Sequence, residues 1–246
     1  MIGSPFHVLA VVDSTNNYAM AEVNSGNVTN GSAYFAMEQF AGKGQRGKQW
    51  HSPPGENIVL TVVVQPPIKL SQQFLLSATI ALGAADFFAK YAGDETRIKW
   101  PNDLYWRDRK AGGILIENVL RGSQWQYAIV GMGININVPQ FPGGLVNPVS
   151  LRQITGKEWD SLALAQDLCS FLDRRFNDLP LVSEKALLDE YKSKLFRYQE
   201  TGLYKMDGEF FSGIIRDVLP SGLLQLERDG KILSLGVGEV EFVKTS

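Results

Sequence analysis

Apolar and polar positions divide this chain into two stretches, with the change of character near Phe196. Before it, short apolar or alternating runs predict strands at 6–12, 32–39, 58–64, 96–100, 112–120, 124–130 and 133–138. The run 58–64 is continuously apolar, as expected of a strand buried on both faces. Helical spacing predicts helices over 18–23, 71–91, 161–176 and 183–194, with a short helical turn at 150–155 ending on Gly156. Phe74, Leu75, Ala78, Leu82, Ala85 and Phe88 share one face of the helix 71–91, and Ser71 is placed to cap it. Ser14 or Thr15 is placed to cap the helix before it. Arg121-Gly122-Ser123 predicts a hairpin turn, Gly131-Met132-Gly133 a further turn between strands and a place for close backbone approach, and 141–148 a Pro/Gly-rich loop. After 196, short alternating segments at 202–206, 209–218, 223–227, 231–235 and 240–243 alternate with tight turns such as Asp207-Gly208 and Asp229-Gly230. That pattern predicts a small β-barrel. The expected division is a unit 1–195 followed by a barrel 196–246.

Composition narrows the function classes. The chain has 246 residues, a formal charge of −2, 44% hydrophobic and 20% charged residues, all ordinary for a globular protein. Near-neutrality argues against a general nucleic-acid binder, which is usually basic overall. Cys169 is the one cysteine, so no internal disulfide framework exists. Its apolar helical setting predicts packing rather than nucleophilic chemistry. The N-terminus lacks a basic segment followed by an apolar run, so no signal peptide is expected. No apolar run approaches the ~20 residues of a membrane span. A cytoplasmic protein without membrane partners is the expectation.

Against that neutral background, one stretch stands out. From Ala41 to Asn57, Gly42, Gly44 and Gly47 alternate with Lys43, Arg46 and Lys48, and no acid occurs before Glu56. Glycines let backbone N–H groups approach a ligand, and the cations suit phosphate or carboxylate. Trp50 adds a flat face that could cover a ring. The stretch reads either as a lid closing on an anionic, partly aromatic ligand or as a solvated basic loop. Three further groups follow. In Lys99-Trp100-Pro101-Asn102-Asp103, Pro101 keeps Trp100 out of the helical region. Asn102 and Asp103 then sit at a strand end, where α/β proteins place ligand groups. Asp103 could hold Mg²⁺ or orient a cation, and Lys99 could neutralise phosphate; a capped surface turn is the bland reading. Lys110-Ala111-Gly112-Gly113 lets a lysine lie across a ligand held against bare backbone, or is a charged hairpin. Asn135, between Ile134 and Ile136, could read an adenine edge or sit in a glycine-kinked strand. Glu117 is left undecided between a functional carboxylate and an edge residue. His7 and His51 lack partners at zinc-ligand spacing.

These segments, in this order, resemble the biotin–protein ligase family. The resemblance runs from Asp13-Ser14-Thr15-Asn16, through the glycine loop ending in Trp50, through Lys99-Trp100-Pro101-Asn102-Asp103, to Lys110-Ala111-Gly112-Gly113-Ile114-Leu115 and Gly131-Met132-Gly133-Ile134-Asn135. It implies an α+β fold: a mixed β-sheet flanked by helices, with a small C-terminal SH3-like β-barrel. It implies activation of biotin with Mg·ATP to biotinyl-5′-AMP, then transfer to a lysine of a biotin carboxyl carrier protein or carboxylase biotin domain. By position, Ser14, Thr15, Asn16, Gln39, Lys43, Gly44, Gln45, Lys110 and Gly113 resemble the biotin contacts. Lys48, Trp50, Lys99, Asn102 and Asn135 resemble the ATP contacts. Lys110, Lys43 and Asp103 take the catalytic places, with Asp103 as the candidate Mg²⁺ ligand. Many members carry arginines where Lys43, Gln45 and Lys48 stand. Lysine lacks arginine's bidentate fork and glutamine has no charge, so weaker retention of the adenylate is expected. No N-terminal DNA-binding segment precedes the pattern, so no DNA partner is expected, and a homodimer is left open. The competing readings are a lipoate- or octanoate-handling relative and a non-catalytic biotin- or adenylate-binding module.

Overall fold

Ile58 to Val64 is the centre of the molecule. The computed structural model describes residues 1–145 and 147–244. Val146, in the expected loop 141–148, and Thr245 and Ser246, at the end of the expected C-terminal unit, lie outside the described residues. The strands of the first sheet are β1 (Phe6–Val12), β2 (Ala33–Gln39), β3 (Asn57–Val64), β4 (Thr96–Lys99), β5 (Asp103–Trp106), β6 (Arg109–Arg121) and β7 (Gln124–Asn135). Their order is β1-β2-β3-β7-β6-β5-β4. β1 and β2 are parallel and every other pair is antiparallel, so the sheet is mixed. β3 is buried along its whole length, as its composition predicts.

Helices cover both faces, and strand alternation decides which residue meets which helix. α1 (Thr15–Asn24) packs on one face, where Ala19 and Val23 meet Tyr34, Val63 and Ile129. α2 (Gln73–Ala92) and α4 (Ser161–Asp178) cover the other face, against Phe35, Ile58, Leu60 and Val62. The short α3 (Leu151–Thr155) and α5 (Glu184–Ser193) complete that layer. α2 corrects one expectation. With its leading 3-10 turn it runs from Leu70 to Ala92 and is long and apolar enough to cross a membrane. It is buried on most sides because it lies between the sheet and α4, which is where an apolar helix of a globular protein belongs. Its N-cap is Gln72, not Ser71, which instead lies inside the 3-10 turn.

Two further boundaries differ from expectation. Gly131-Met132-Gly133 is no turn: β7 runs through it, paired with β3 and β6 on either side. Asp103–Trp106 is a strand that the charged residues beside it concealed. After α5 come β8 (Thr201–Met206), β9 (Glu209–Val218), β10 (Leu224–Arg228), β11 (Lys231–Leu235) and β12 (Glu241–Phe242). They pair antiparallel in the order β11-β10-β9-β8-β12. The pair β11–β12 that would close a barrel is absent among the described residues. The core is continuous between the two sheets: Tyr204, Ile215 and Leu224 belong to the same cluster as Phe74 and Ile98. The Trp100 indole N–H also donates to Gly222 O at 3.0 Å.

Candidate functional site

The α1 face of the sheet does not close completely, and a cavity of about 610 Å³ remains. That size suits a small-molecule ligand. Ser14, Thr15, Asn16, Gln39, Lys43, Gly44, Gln45, Lys48, Trp50, Lys99, Asp103, Lys110 and Gly113 all line it. Residues spread over a hundred positions of sequence therefore line one space. Asn102 and Asn135 are buried but do not line the cavity. Asn135 donates from Nδ2 to Val149 O at 3.1 Å and to Lys110 O at 3.4 Å. Asn102 donates to Ile114 O at 3.0 Å and accepts from Gln45 Nε2 at 2.8 Å. Both amides hold backbone or loop from behind the wall rather than facing the space.

The glycine loop is held by short local contacts. Gly44 N donates to Lys48 O at 2.7 Å and Trp50 N to Gly42 O at 2.9 Å, with Lys43 bridged to Gln49 and a 3-10 turn at Gln45–Gly47. The loop then reaches across the cavity in two places. Gln45 bonds Asn102, and the Arg46 guanidinium lies against Gly238, where any Cβ would collide with it. Trp50 lies flat on β7 at Gly133, where a Cβ would enter its ring. This close approach, and not a turn, is what the glycine of β7 provides. The Trp50 indole nitrogen is buried without a hydrogen-bond partner.

Lys110 and Gly113 owe their places to a slip in the sheet. Leu104 pairs with Gly112 but Tyr105 pairs with Lys110, so Ala111 is skipped as a bulge. Bulges re-aim the side chains beside them. Here Lys110 Nζ comes 2.7 Å from Asp103 Oδ1, at the bare backbone of Gly113. Lys99 is half-buried between rings: its Nζ lies 5.3 Å from the Tyr105 centroid and 5.0 Å from that of Phe242, and donates to Tyr105 Oη at 3.3 Å. Burial lowers its pKa, Asp103 partly offsets this, and Lys110 and Lys48 push the same way as burial. Burial likewise raises the Tyr105 phenol. Arg46, Lys48 and Lys99 form no ion pair among the described residues.

The other end of the cavity is neutral. Ser14 occupies the N-cap position of α1, yet its side chain makes no capping bond, so its hydroxyl stays available at the wall. Thr15 N donates to Gln39 Oε1 at 2.9 Å. Asn16 Nδ2 donates to Glu117 Oε2 at 2.7 Å, which settles Glu117 as part of the site's support rather than a bare edge residue. Sequence reasoning missed Thr61, although one hydroxyl in an otherwise aliphatic strand was a signal. It named Arg46 only as one of the loop's cations, and it missed the C-terminal segment Val237, Gly238, Val240, Glu241 and Phe242, which forms a wall of the cavity. Nothing local marks Phe242 for that place. Cys169 is buried and its thiol is pushed up to about 12 by burial, in line with a packing role.

Known proteins resemble this chain in sequence and in fold. The model of the biotin/lipoate A/B protein ligase family matches residues 8–135. The chain is 33% identical over 245 residues to the bifunctional ligase/repressor BirA of Escherichia coli, covering 97% of this chain and 74% of that protein. It is 37% identical over 160 residues to the biotin–[acetyl-CoA-carboxylase] ligase of Paracoccus denitrificans, covering 62% and 65% of the two chains. In fold, it resembles the biotin protein ligase of Aquifex aeolicus solved with biotin and ATP, with a TM-score of 0.79 at 24% identity, over 97% of this chain and 98% of that one.

Proposed function

The chain belongs to the biotin/lipoate A/B protein ligase family, and from that premise we propose that it joins biotin to a lysine of a carboxylase biotin domain by way of biotinyl-5′-AMP. One observation carries the reading: Lys110, steadied by Asp103 at 2.7 Å, stands between a neutral hydrogen-bonding end and a cationic end of one cavity. Biotin has a neutral ring system and a carboxylate, and ATP adds a triphosphate. In the first step a biotin carboxylate oxygen bonds to the α-phosphorus and pyrophosphate leaves. In the second an acceptor amine bonds to the acyl carbon, AMP leaves with the bonding pair, and the amine gives up a proton.

The roles follow from placement. Ser14, Thr15, Asn16 and Gln39 take the biotin ring end. Lys110 holds the carboxylate and α-phosphate together, and Lys43, Gly44 and Gln45 close over them with Gly113 behind. Lys48, Lys99 and Trp50 take the phosphates and the base. Asn102 and Asn135 act from behind the wall, by tethering the loop and the Lys110 backbone. Mg²⁺ fits this site as a passenger of the triphosphate. No three acidic, His or Cys side chains gather among the described residues, and Mg²⁺ needs only one or two carboxylates when phosphates and water supply the rest. Asp103 is the carboxylate at hand, and the ion would neutralise phosphate charge. The loop 42–50 keeps water from the mixed anhydride. We assign this chemistry to the unit 1–195, with 196–246 contributing one wall. The reaction as proposed needs neither DNA nor a second copy of the chain.

The named relatives favour biotin over lipoate. Mass spectrometry of products from protein, ATP and Mg²⁺, with biotin or lipoate in parallel, tests the choice. Biotinyl-AMP and pyrophosphate only in the biotin tube are expected. Lipoyl-AMP would overturn the substrate assignment. Biotin binding without any adenylate would leave a binding module.

A further inference from the structure

Behind the neutral end of the cavity stand two side chains that do not line it, Thr61 and Glu117. Thr61 lies on β3 with its side chain on the α1 face, as alternation from Val63 requires, and it is fully buried. Its hydroxyl is 2.7 Å from Asn16 Oδ1 and 2.8 Å from Thr15 Oγ1. Glu117 lies on β6, and its Oε2 accepts from Asn16 Nδ2 at 2.7 Å. Its other oxygen is 3.8 Å from Lys43 Nζ in the glycine loop, a long and half-exposed pairing that contributes little by itself. Asn16 is pressed into place by β7, since any side chain at Gly131 would collide with its amide. The result is an unbroken line of contacts from the loop lysine to the cavity wall.

Counting protons gives this line a direction. A carboxylate only accepts, so Asn16 must turn its NH₂ to Glu117 and its carbonyl to Thr61. That carbonyl only accepts, so the single Thr61 proton goes to it. Thr61 then has only lone pairs for Thr15, and the Thr15 hydroxyl must donate its proton to Thr61. Thr15 Oγ1 also lies 3.4 Å from Gln39 Oε1, but its one proton is committed to the shorter 2.8 Å contact with Thr61, so Thr15 presents lone pairs to the cavity. At the far side, the Thr15 backbone N–H donates to Gln39 Oε1, so Gln39 keeps its NH₂ for the space beside Gly42. The wall thus offers an acceptor at Thr15. A ligand N–H is its complement.

We propose that Glu117 and Thr61 are positioning residues that set the hydrogen-bond polarity of the wall, so that Thr15 accepts an N–H of the ligand. Neither touches the ligand. The inference rests on the biotin-ligase reading and adds to it what makes Thr15 an acceptor.

The test is calorimetric binding of biotin, with KM measured separately for biotin and ATP. Thr61→Val keeps the shape and removes the hydroxyl. It is expected to weaken biotin about tenfold while leaving KM for ATP unchanged. Thr61→Ser is expected to restore affinity to within about threefold. Glu117→Leu is expected to weaken biotin several-fold, and Glu117→Gln, which can still accept from Asn16, to recover most of that loss. A biotin methylated on a ureido nitrogen provides the readout that mere packing would not move. Wild-type protein should discriminate against it, and Thr61→Val should lose about tenfold of that preference. Should Thr61→Val fail to fold, the half-exposed Glu117 variants decide. Wild-type ligase activity with unchanged biotin affinity in the variants overturns the inference alone. A wild-type protein that makes no biotinyl-AMP overturns the ligase reading and this inference with it.

Discussion

At the α1 end of the cavity, polar side chains are neutral and most are held in place: Asn16 by Glu117 and Thr61, Thr15 by Thr61, and Gln39 by the Thr15 backbone. At the opposite end, the side chains are cationic, and Arg46, Lys48 and Lys99 have no acidic partner among the described residues. The contrast matches what each end must do. A neutral ring system is told from its rivals by direction, which needs donors and acceptors that cannot rotate. Phosphates are held by charge, which tolerates looser geometry and leaves cations waiting for their counter-charge. Lys110 sits at the meeting of the two, closely paired to Asp103 at 2.7 Å, whereas the Lys43 pairing to Glu117 is long at 3.8 Å. In the proposed reaction, the Asp103 pairing holds the Lys110 ammonium where a carboxylate and a phosphate would meet.

The comparison can be broken most severely at its midpoint. Lys110→Ala should lower adenylate formation by ~10²–10³, the usual effect of removing one group aimed at developing charge. Biotin affinity should fall far less, because the neutral end is intact. Pyrophosphate release with biotin titration checks both, and full activity would remove Lys110 from its assigned role. A smaller effect sharpens the cationic end. Gln45→Arg replaces a neutral contact with a charged fork and gives up the 2.8 Å bond to Asn102. Biotinyl-AMP should then leave about fivefold more slowly, as a charge-assisted bond replaces a neutral one. An unchanged off-rate by stopped flow would show that Gln45 retains the intermediate as well as arginine does.

The smallest effect is a proton. Lys99 is held below the ordinary lysine range chiefly by burial. In the window between its folded and unfolded pKa, the unfolded chain binds more protons, so stability should rise with pH there. ATP brings negative charge beside Lys99 and should raise its pKa, drawing in a proton on binding in that window. Calorimetry in two buffers of different ionisation enthalpy should show this uptake. Lys99→Met should abolish it, and uptake that survives the substitution would assign the proton elsewhere.

Much of this was legible from local pattern. The continuous run at 58–64, the helix at 71–91 and the short strands after 196 are consequences of period and turn residues, which act within a few positions. The glycines of the loop, Lys110 and Asp103 were legible as chemistry because their residue types are unusual in those settings. Other features were not. Gly131 and Gly133 read as a place of close approach but also as a turn, because glycine breaks pattern, and that Asn16 and Trp50 are what approach is set by distant segments. Asn102 read as a ligand contact because it follows a strand end, and Asn135 because amides suit bases, yet their burial turns them toward backbone carbonyls.

The sequence by itself determined the elements, the basic glycine loop and the cast of charged groups, since hydrophobic period, backbone freedom and side-chain charge are properties of neighbours along the chain. Only the tertiary structure decided which of those groups share a cavity. The bond from Asn16 to Glu117 spans 101 residues. The place of Lys110 depends on one skipped residue in a strand pair, and Phe242 reaches Lys99 from the second sheet. Register, bulge and the packing of one sheet against another are settled by the whole core at once, so no local stretch could have announced them.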